Sequence, residues 1–335
     1  MKKHVPLLLI IAVICLPSFC RAADVTEQEV TPKNKKIYLE PEKSILERGK
    51  FKFLLSTTEG YDNNVYLDSQ REGDPYWQTF FRGNFTSALS QKTDLSFDYE
   101  LMNLIYLGES HLDLMRNGIR AGMSHKLSKT LNFSAGYSID QIEYINSGTD
   151  DYLVNAADFK LRQKLANKMY HSLGYELSWR RYFKRFIRPD ADTSSEKKRQ
   201  DMRNTLDYEI GKYFPKDLVK LSFQFFNNNS NETYLKYYDY DSYKVGASLT
   251  HLFNEKFTGY LSGFRQNRDF RSRTLINDAA CKQHDRTYLY TAALYYSLNK
   301  QLSFGLSYTY RQNNSNEPIE KYSGSLLALS TYYKF

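Results

Sequence analysis

The chain has 335 residues, a formal charge of +8, only 3 Cys, and 29 Tyr and 21 Phe against 2 Trp and 8 Pro. Beyond residue 22 no apolar run approaches the roughly 20 residues of a spanning helix, which excludes a helical membrane protein. The basic residues are spread along the chain rather than gathered in a stripe, which excludes a nucleic-acid partner.

At the N-terminus, Lys2 and Lys3 precede a short apolar stretch from Val5 to Leu16, and Cys20 and Ala22 are the small residues before Ala23. That pattern predicts a cleaved secretory signal peptide over residues 1–22. The stretch is too short to span about 30 Å of hydrocarbon, and Phe19 is too bulky for the site preceding a lipidated Cys20. Cleavage lowers the formal charge to +5 and leaves Cys281 alone, in a polar, loop-like setting that reads as an incidental thiol. Residues 23–48 are polar and irregular, with Pro32 and Pro41, and predict a flexible periplasmic leader where a periplasmic partner would bind.

From Phe51 the pattern changes to alternating runs separated by turns. An apolar residue, a few small or polar residues and a Lys recur at 89–92, 127–129, 165–168, 214–216, 253–256 and 298–300. Their spacing is mostly near about 40 residues, the length of two strands, a short turn and a longer loop. Longer polar segments alternate with them at 60–74, 108–111, 146–151, 186–199, 227–236, 270–285 and 313–321. Short turns on one side and long loops on the other predict an all-β fold over residues 49–335. It is a single antiparallel transmembrane β-barrel of about 14 strands (between about 12 and 16), with both termini periplasmic. A soluble β-sandwich would also present one wet face per sheet, but this array shows no domain break.

Within the strands, Leu95, Phe97, Tyr99 and Leu101 oppose Ser96, Asp98 and Glu100, and Leu302, Phe304, Leu306 and Tyr308 oppose Ser303, Gly305, Ser307 and Thr309. A barrel wall built this way has a polar average, so the mean hydropathy of −0.62 does not oppose membrane insertion. Arg or Lys facing the hydrocarbon midplane would cost about 2–4 kcal/mol. Arg82, Asp98, Glu100, Arg116, Arg120, Lys160, Arg162, Glu176, Arg180, Arg203, Asp207 and Glu209 are therefore expected to line the lumen. If acids and bases segregate to opposite walls, they set a transverse field across an open pore; if they pair across the lumen, they plug it.

No enzyme site, cofactor site or metal site is expected. His111, His125, His171, His251 and His284 are scattered, without metal-ligand spacing, and no phosphate loop or serine elbow occurs. His171 and His251 are placed as a lipid-facing catalytic histidine would be, without an accompanying motif. Asn-rich tips at 62–64, 227–231 and 313–316 read as turn chemistry or as sugar contacts. The run Arg180-Arg181-Tyr182-Phe183-Lys184-Arg185, with Arg188, falls at an outer strand end and could meet lipopolysaccharide phosphates.

At the C-terminus, Leu327, Leu329, Thr331, Tyr333 and Phe335 alternate up to the last residue. This ending resembles that of bacterial outer-membrane proteins, whose final aromatic strand is the address read by the barrel-assembly machinery; the resemblance assigns that signal to Tyr333 and Phe335. Tyr61-Asp62-Asn63-Asn64-Val65, and Asn314-Ser315-Asn316-Glu317-Pro318 with the strand after it, resemble the barrel of surface lipoprotein assembly modifiers. They also resemble exopolysaccharide-associated β-barrel porins, and the likeness spans residues 50–335. It implies an outer-membrane location among lipid and lipopolysaccharide, and transport rather than catalysis. The expected function is a pore for small solutes or an exported polymer. The alternatives are an export or assembly barrel for surface lipoproteins or polysaccharide, and a plugged structural or enzymatic barrel.

Overall fold

A strand whose side chains alternate between apolar and charged needs a different medium on each face, and a sheet closed on itself supplies both while leaving no unpaired edge. The computed structural model describes residues 49–335 apart from 149, 189, 191, 192, 194 and 235. The expected signal peptide and leader lie outside the described residues. The strands are β1 (Lys50–Asp62), β2 (Asp74–Ala88), β3 (Thr93–Tyr106), β4 (Leu114–Lys126), β5 (Leu131–Tyr144), β6 (Tyr152–Lys164) and β7 (Met169–Phe186). They continue with β8 (Lys198–Tyr213), β9 (Asp217–Ser230), β10 (Tyr240–Leu252), β11 (Phe257–Thr274), β12 (Lys282–Ser297), β13 (Leu302–Ser315) and β14 (Tyr322–Lys334). Each pairs antiparallel with its sequence neighbours, and β14 returns to β1 to close a barrel of 14 strands.

Closure extends to the final residue. Phe53 N–H donates to the Phe335 carbonyl at 2.8 Å, Phe335 N–H donates back at 3.1 Å, and the two rings stack at 5.4 Å. One rim carries the six short turns. Between β6 and β7 the turn holds Asn167 and Lys168 at φ 57° and 58°, the left-handed conformation that matches strand twist in tight hairpins. The other rim carries the long loops. Four of them start three or more residues later than expected, because β1 continues to Asp62, β9 to Ser230, β11 to Thr274 and β13 to Ser315. Polar residues at a strand end are not confined to loops: the ladder satisfies the backbone, and the side chains bond across it, as Asn204 Nδ2 does to Asn227 Oδ1 at 3.1 Å.

The outward face is apolar. Ile119, Phe159, Phe223, Leu261, Leu306 and Leu329 are between 47% and 56% exposed, although nothing polar screens them. On β7 the uncharged outward run lies between His171 and Arg181, and on β10 between His251 and Asp241. Ten residues of tilted strand rise about 26 Å, close to the roughly 25 Å apolar band of outer-membrane barrels. Outward aromatic pairs flank the band, including Phe257–Tyr296 at 4.9 Å near the short-turn rim and Phe225–Tyr243 at 5.1 Å towards the other.

The interior departs from simple alternation near the long-loop rim. Tyr76, Met102, Leu104, Tyr106, Ile142, Tyr144, Tyr152 and Tyr182 all point inward and are buried with Leu112 and Val65. Val65 and Leu112 belong to long loops that fold inward, and their apolar side chains require an apolar seat.

Candidate functional site: the inner wall

All twelve residues expected in the lumen stand on the inward face, in register with one another across β2–β8. Between β2 and β5 several of them join Asp140 in a continuous ladder, and Arg120 forms a separate pair with Asp158 on β6. Arg82 Nη2 donates to Asp98 Oδ1 at 2.6 Å and its Nε faces Glu100 at 3.6 Å. Arg116 Nη2 reaches Glu100 at 3.6 Å and Asp140 at 2.6 Å. Arg120 holds Asp158 in a two-pronged pair, its Nη2 at 2.7 Å from Oδ2. Asn84 Nδ2 gives Asp98 a further bond at 2.9 Å.

Glycine makes room for these pairs. Arg120 on β4 reaches Asp158 on β6 by crossing β5 at Gly136, where a Cβ would lie 2.3 Å from Arg120 Nη2. A Cβ at Gly118 would lie 2.6 Å from Asp140 Oδ1, and one at Gly174 would lie 2.3 Å from Asp207 Oδ1. Each glycine is an inward position next to an ionic one, so its missing side chain leaves a channel for its neighbours.

Four of the other expected residues use aromatic partners. Glu209 accepts from the Tyr170 hydroxyl at 2.8 Å, and Arg162 lies over the Tyr170 ring at 4.0 Å. Arg180 donates to the Tyr182 hydroxyl at 3.3 Å and covers Tyr152 at 4.6 Å. Arg203 donates to the Tyr240 hydroxyl at 2.8 Å and faces Phe226 at 5.0 Å. Glu176 sits cross-strand from Asp158, and the charge of Lys160 reaches Asp207.

Sequence reading missed Asp140, Asp158 and four pairs near the long-loop rim. Arg199 binds Asp201 at 2.6 Å, Arg273 binds Glu320 at 2.7 Å, Arg311 binds Asp62 at 2.5 Å, and Arg268 lies 3.9 Å from Asp285. Asp140 had a signal, since it shares parity with Gly136 and Ser138. Arg311–Asp62 and Arg273–Glu320 had none, because their partners lie 249 and 47 positions apart, whereas Arg199 and Asp201 are neighbours of one parity on β8.

The two charge arrangements weighed for the lumen are both replaced by a third. Acids and bases pair with neighbours along one wall, β2–β6, and neither segregate to opposite walls nor bridge the lumen there. Facing them, the middle of β9–β14 presents mainly short polar groups such as Ser222, Ser248, Thr291 and Thr309, with Lys220 and Lys244 its cations among the described residues.

The basic run at the end of β7 is divided by the strand. Arg180 and Tyr182 point inward, Arg185 is ion-paired with Asp150, and Arg181 and Lys184 remain exposed outside. The histidines have separate partners: His125 with Thr93 at 2.8 Å, His171 with Gln163 at 2.9 Å, His251 with Asp217 at 2.7 Å, and His111 with Glu109 at 3.4 Å. His171 and His251 do stand on the outer wall. At the mouth, burial first and then Glu109, which accepts its proton, raise the Tyr66 hydroxyl above its ordinary pKa. Among the described residues no group of three or more His, Cys, Asp or Glu is placed to hold a metal.

No protein-family model matches the chain, and no curated sequence does either. Solved structures do. The chain is similar to outer-membrane expressed OmpT of Vibrio cholerae, with a TM-score of 0.53 and 8% identity over 88% of this chain and 100% of that one. It is similar to a loop L8 deletion mutant of the same protein, at 0.51 and 6% identity over 86% and 100%, and to its in-vitro folded form, at 0.51 and 7% over 86% and 97%. The fold is therefore a bacterial outer-membrane type of β-barrel, as the outward apolar band independently requires.

Proposed function

We propose that this chain resides in the bacterial outer membrane, with its short turns in the periplasm and its long loops outside, and forms a water-filled pore for small solutes. The carrying observation is the pairing of ions along the wall. Because Arg82, Arg116 and Arg120 find their carboxylates on the same arc, no ionic bridge among the described residues occupies the centre at that level. Fourteen strands spaced about 4.8 Å and tilted about 40° give a backbone cylinder about 28 Å across. Side chains of about 6 Å on both walls leave a bore of about 15 Å at mid-height, before the inward-folded loop over residues 63–73 narrows the mouth.

The test is conductance of the refolded chain in planar lipid bilayers. Stepwise openings of uniform size support the reading, and electrical silence of a properly folded barrel overturns it. The stretches that carry the likeness to surface lipoprotein assembly modifiers anchor the mouth: Asn63 Nδ2 bonds Ser325 Oγ at 2.9 Å, and Glu317 accepts from Ile276 N–H at 2.8 Å. Tyr333 and Phe335 serve the barrel-assembly machinery in this reading. Arg181, Lys184 and Arg188 meet lipopolysaccharide phosphates, and residues 23–48 face a periplasmic partner.

A further inference from the structure

Two arginines from strands that are not neighbours converge on one tyrosine near the long-loop mouth, with a third close by. Arg203 of β8 donates to the Tyr240 hydroxyl at 2.8 Å, and the Arg268 guanidinium of β11 lies 4.8 Å from the Tyr240 ring. Arg180, on β7, stands diagonally across the β7–β8 ladder from Arg203. Asp201, cross-strand from Arg180, is the natural counter-ion, but Arg199 holds both of its oxygens at 3.0 and 2.6 Å. Asp285 is 3.9 Å from Arg268, whose buried Nε has no partner. Among the described residues neither Arg180 nor Arg203 has a carboxylate at ion-pair distance; Glu176 acts on Arg203 only through its field.

The four arginines here thus have two carboxylates at ion-pair distance, Asp201 and Asp285, and Arg199 takes both oxygens of the first. Tyr152, Phe226 and Phe270 lie against the three guanidinium groups at 4.6, 5.0 and 5.9 Å, which lowers the local dielectric. A partly buried cation without a counter-ion is costly, and a planar donor fork is matched to an oxyanion. We propose that Arg180, Arg203 and Arg268, with the Tyr240 hydroxyl, form a station for the oxyanion group of a passing solute: a carboxylate, sulfate or phosphate. This inference rests on the pore reading and assigns its solute class.

Two measurements on the refolded chain test it. Inorganic sulfate, inorganic phosphate and glucuronate are titrated calorimetrically against the folded barrel in detergent, and reversal potentials are recorded in a KCl gradient across planar bilayers. Saturable binding is expected for at least one anion, weakened about 10-fold or more in Arg180→Gln/Arg203→Gln. Anion preference in the bilayer is expected to fall with it. Arg203→Lys should keep part of both effects, and Arg265→Gln on the outer wall should change neither; heat-modifiable gel mobility confirms that each variant is folded. Binding without conductance would remove the pore and leave the station standing. Conductance without binding, or binding equal in the double variant, would overturn the station.

Discussion

Replacing Arg311 with methionine strands a buried carboxylate. Arg311 Nη2 lies 2.5 Å from Asp62 Oδ1 and 2.5 Å from the Asn64 carbonyl, and the two charged side chains are 6% and 2% exposed. Asp62 would keep only one bond from this network, the Asn64 N–H at 3.0 Å. Removing one partner of such a buried pair costs about 3–5 kcal/mol, because the other remains in low dielectric without a counter-charge. That is roughly a 150- to 5000-fold change in the folding equilibrium. Urea unfolding in detergent micelles, followed by tryptophan emission, reads the change. Removing both charges, in Asp62→Asn/Arg311→Met, should recover most of the loss, since replacing a buried pair by uncharged groups is often neutral. The loop should loosen too, because Asn64 also ties Asp68 and Ser323 to this site through bonds of 2.7 and 2.9 Å; proteolysis within residues 63–73 should accelerate. A single-variant loss below about 1 kcal/mol, or a double variant whose losses simply add, would refute the buried-pair reasoning.

Other expectations follow from the two faces of the wall. Leu306→Arg, at a position 51% exposed on the outer face, should cost about 2–4 kcal/mol in phospholipid vesicles while inward Ser307→Arg costs far less; equal effects would contradict the membrane orientation of β13. Gly136→Val would place carbon where Arg120 and Asp158 meet, so the pair should separate and the reversal potential shift while circular dichroism stays unchanged; an unaltered potential would mean that the ladder does not sense passing ions. Deleting Phe335 removes two backbone bonds and a ring stack at 5.4 Å, so insertion into vesicles should slow; unchanged insertion kinetics would show that closure does not depend on it.

The Leu101-Met102-Asn103-Leu104-Ile105-Tyr106 stretch shows why the interior was only partly legible. Asp98 and Glu100 are inward, and the same parity continues through Met102, Leu104 and Tyr106, which are buried inside rather than exposed outside. The break in alternation was visible, but its meaning required Val65 and Leu112, which arrive from separate loops. Conversely, Arg180 and Arg185 read as one basic run, and period-2 geometry sends the first inside while Asp150 takes the second.

Strand number and the short-turn and long-loop rims were within reach of the bare sequence. They depend on local properties: a two-residue period, turn residues at regular intervals, and the cost of placing charge in lipid. Which carboxylate each arginine holds was decided only by the closed barrel. Arg311 meets Asp62 across 249 positions, and Arg203 meets Tyr240 two strands away. Such partners are chosen by register and curvature, which set distances that a one-dimensional pattern does not contain.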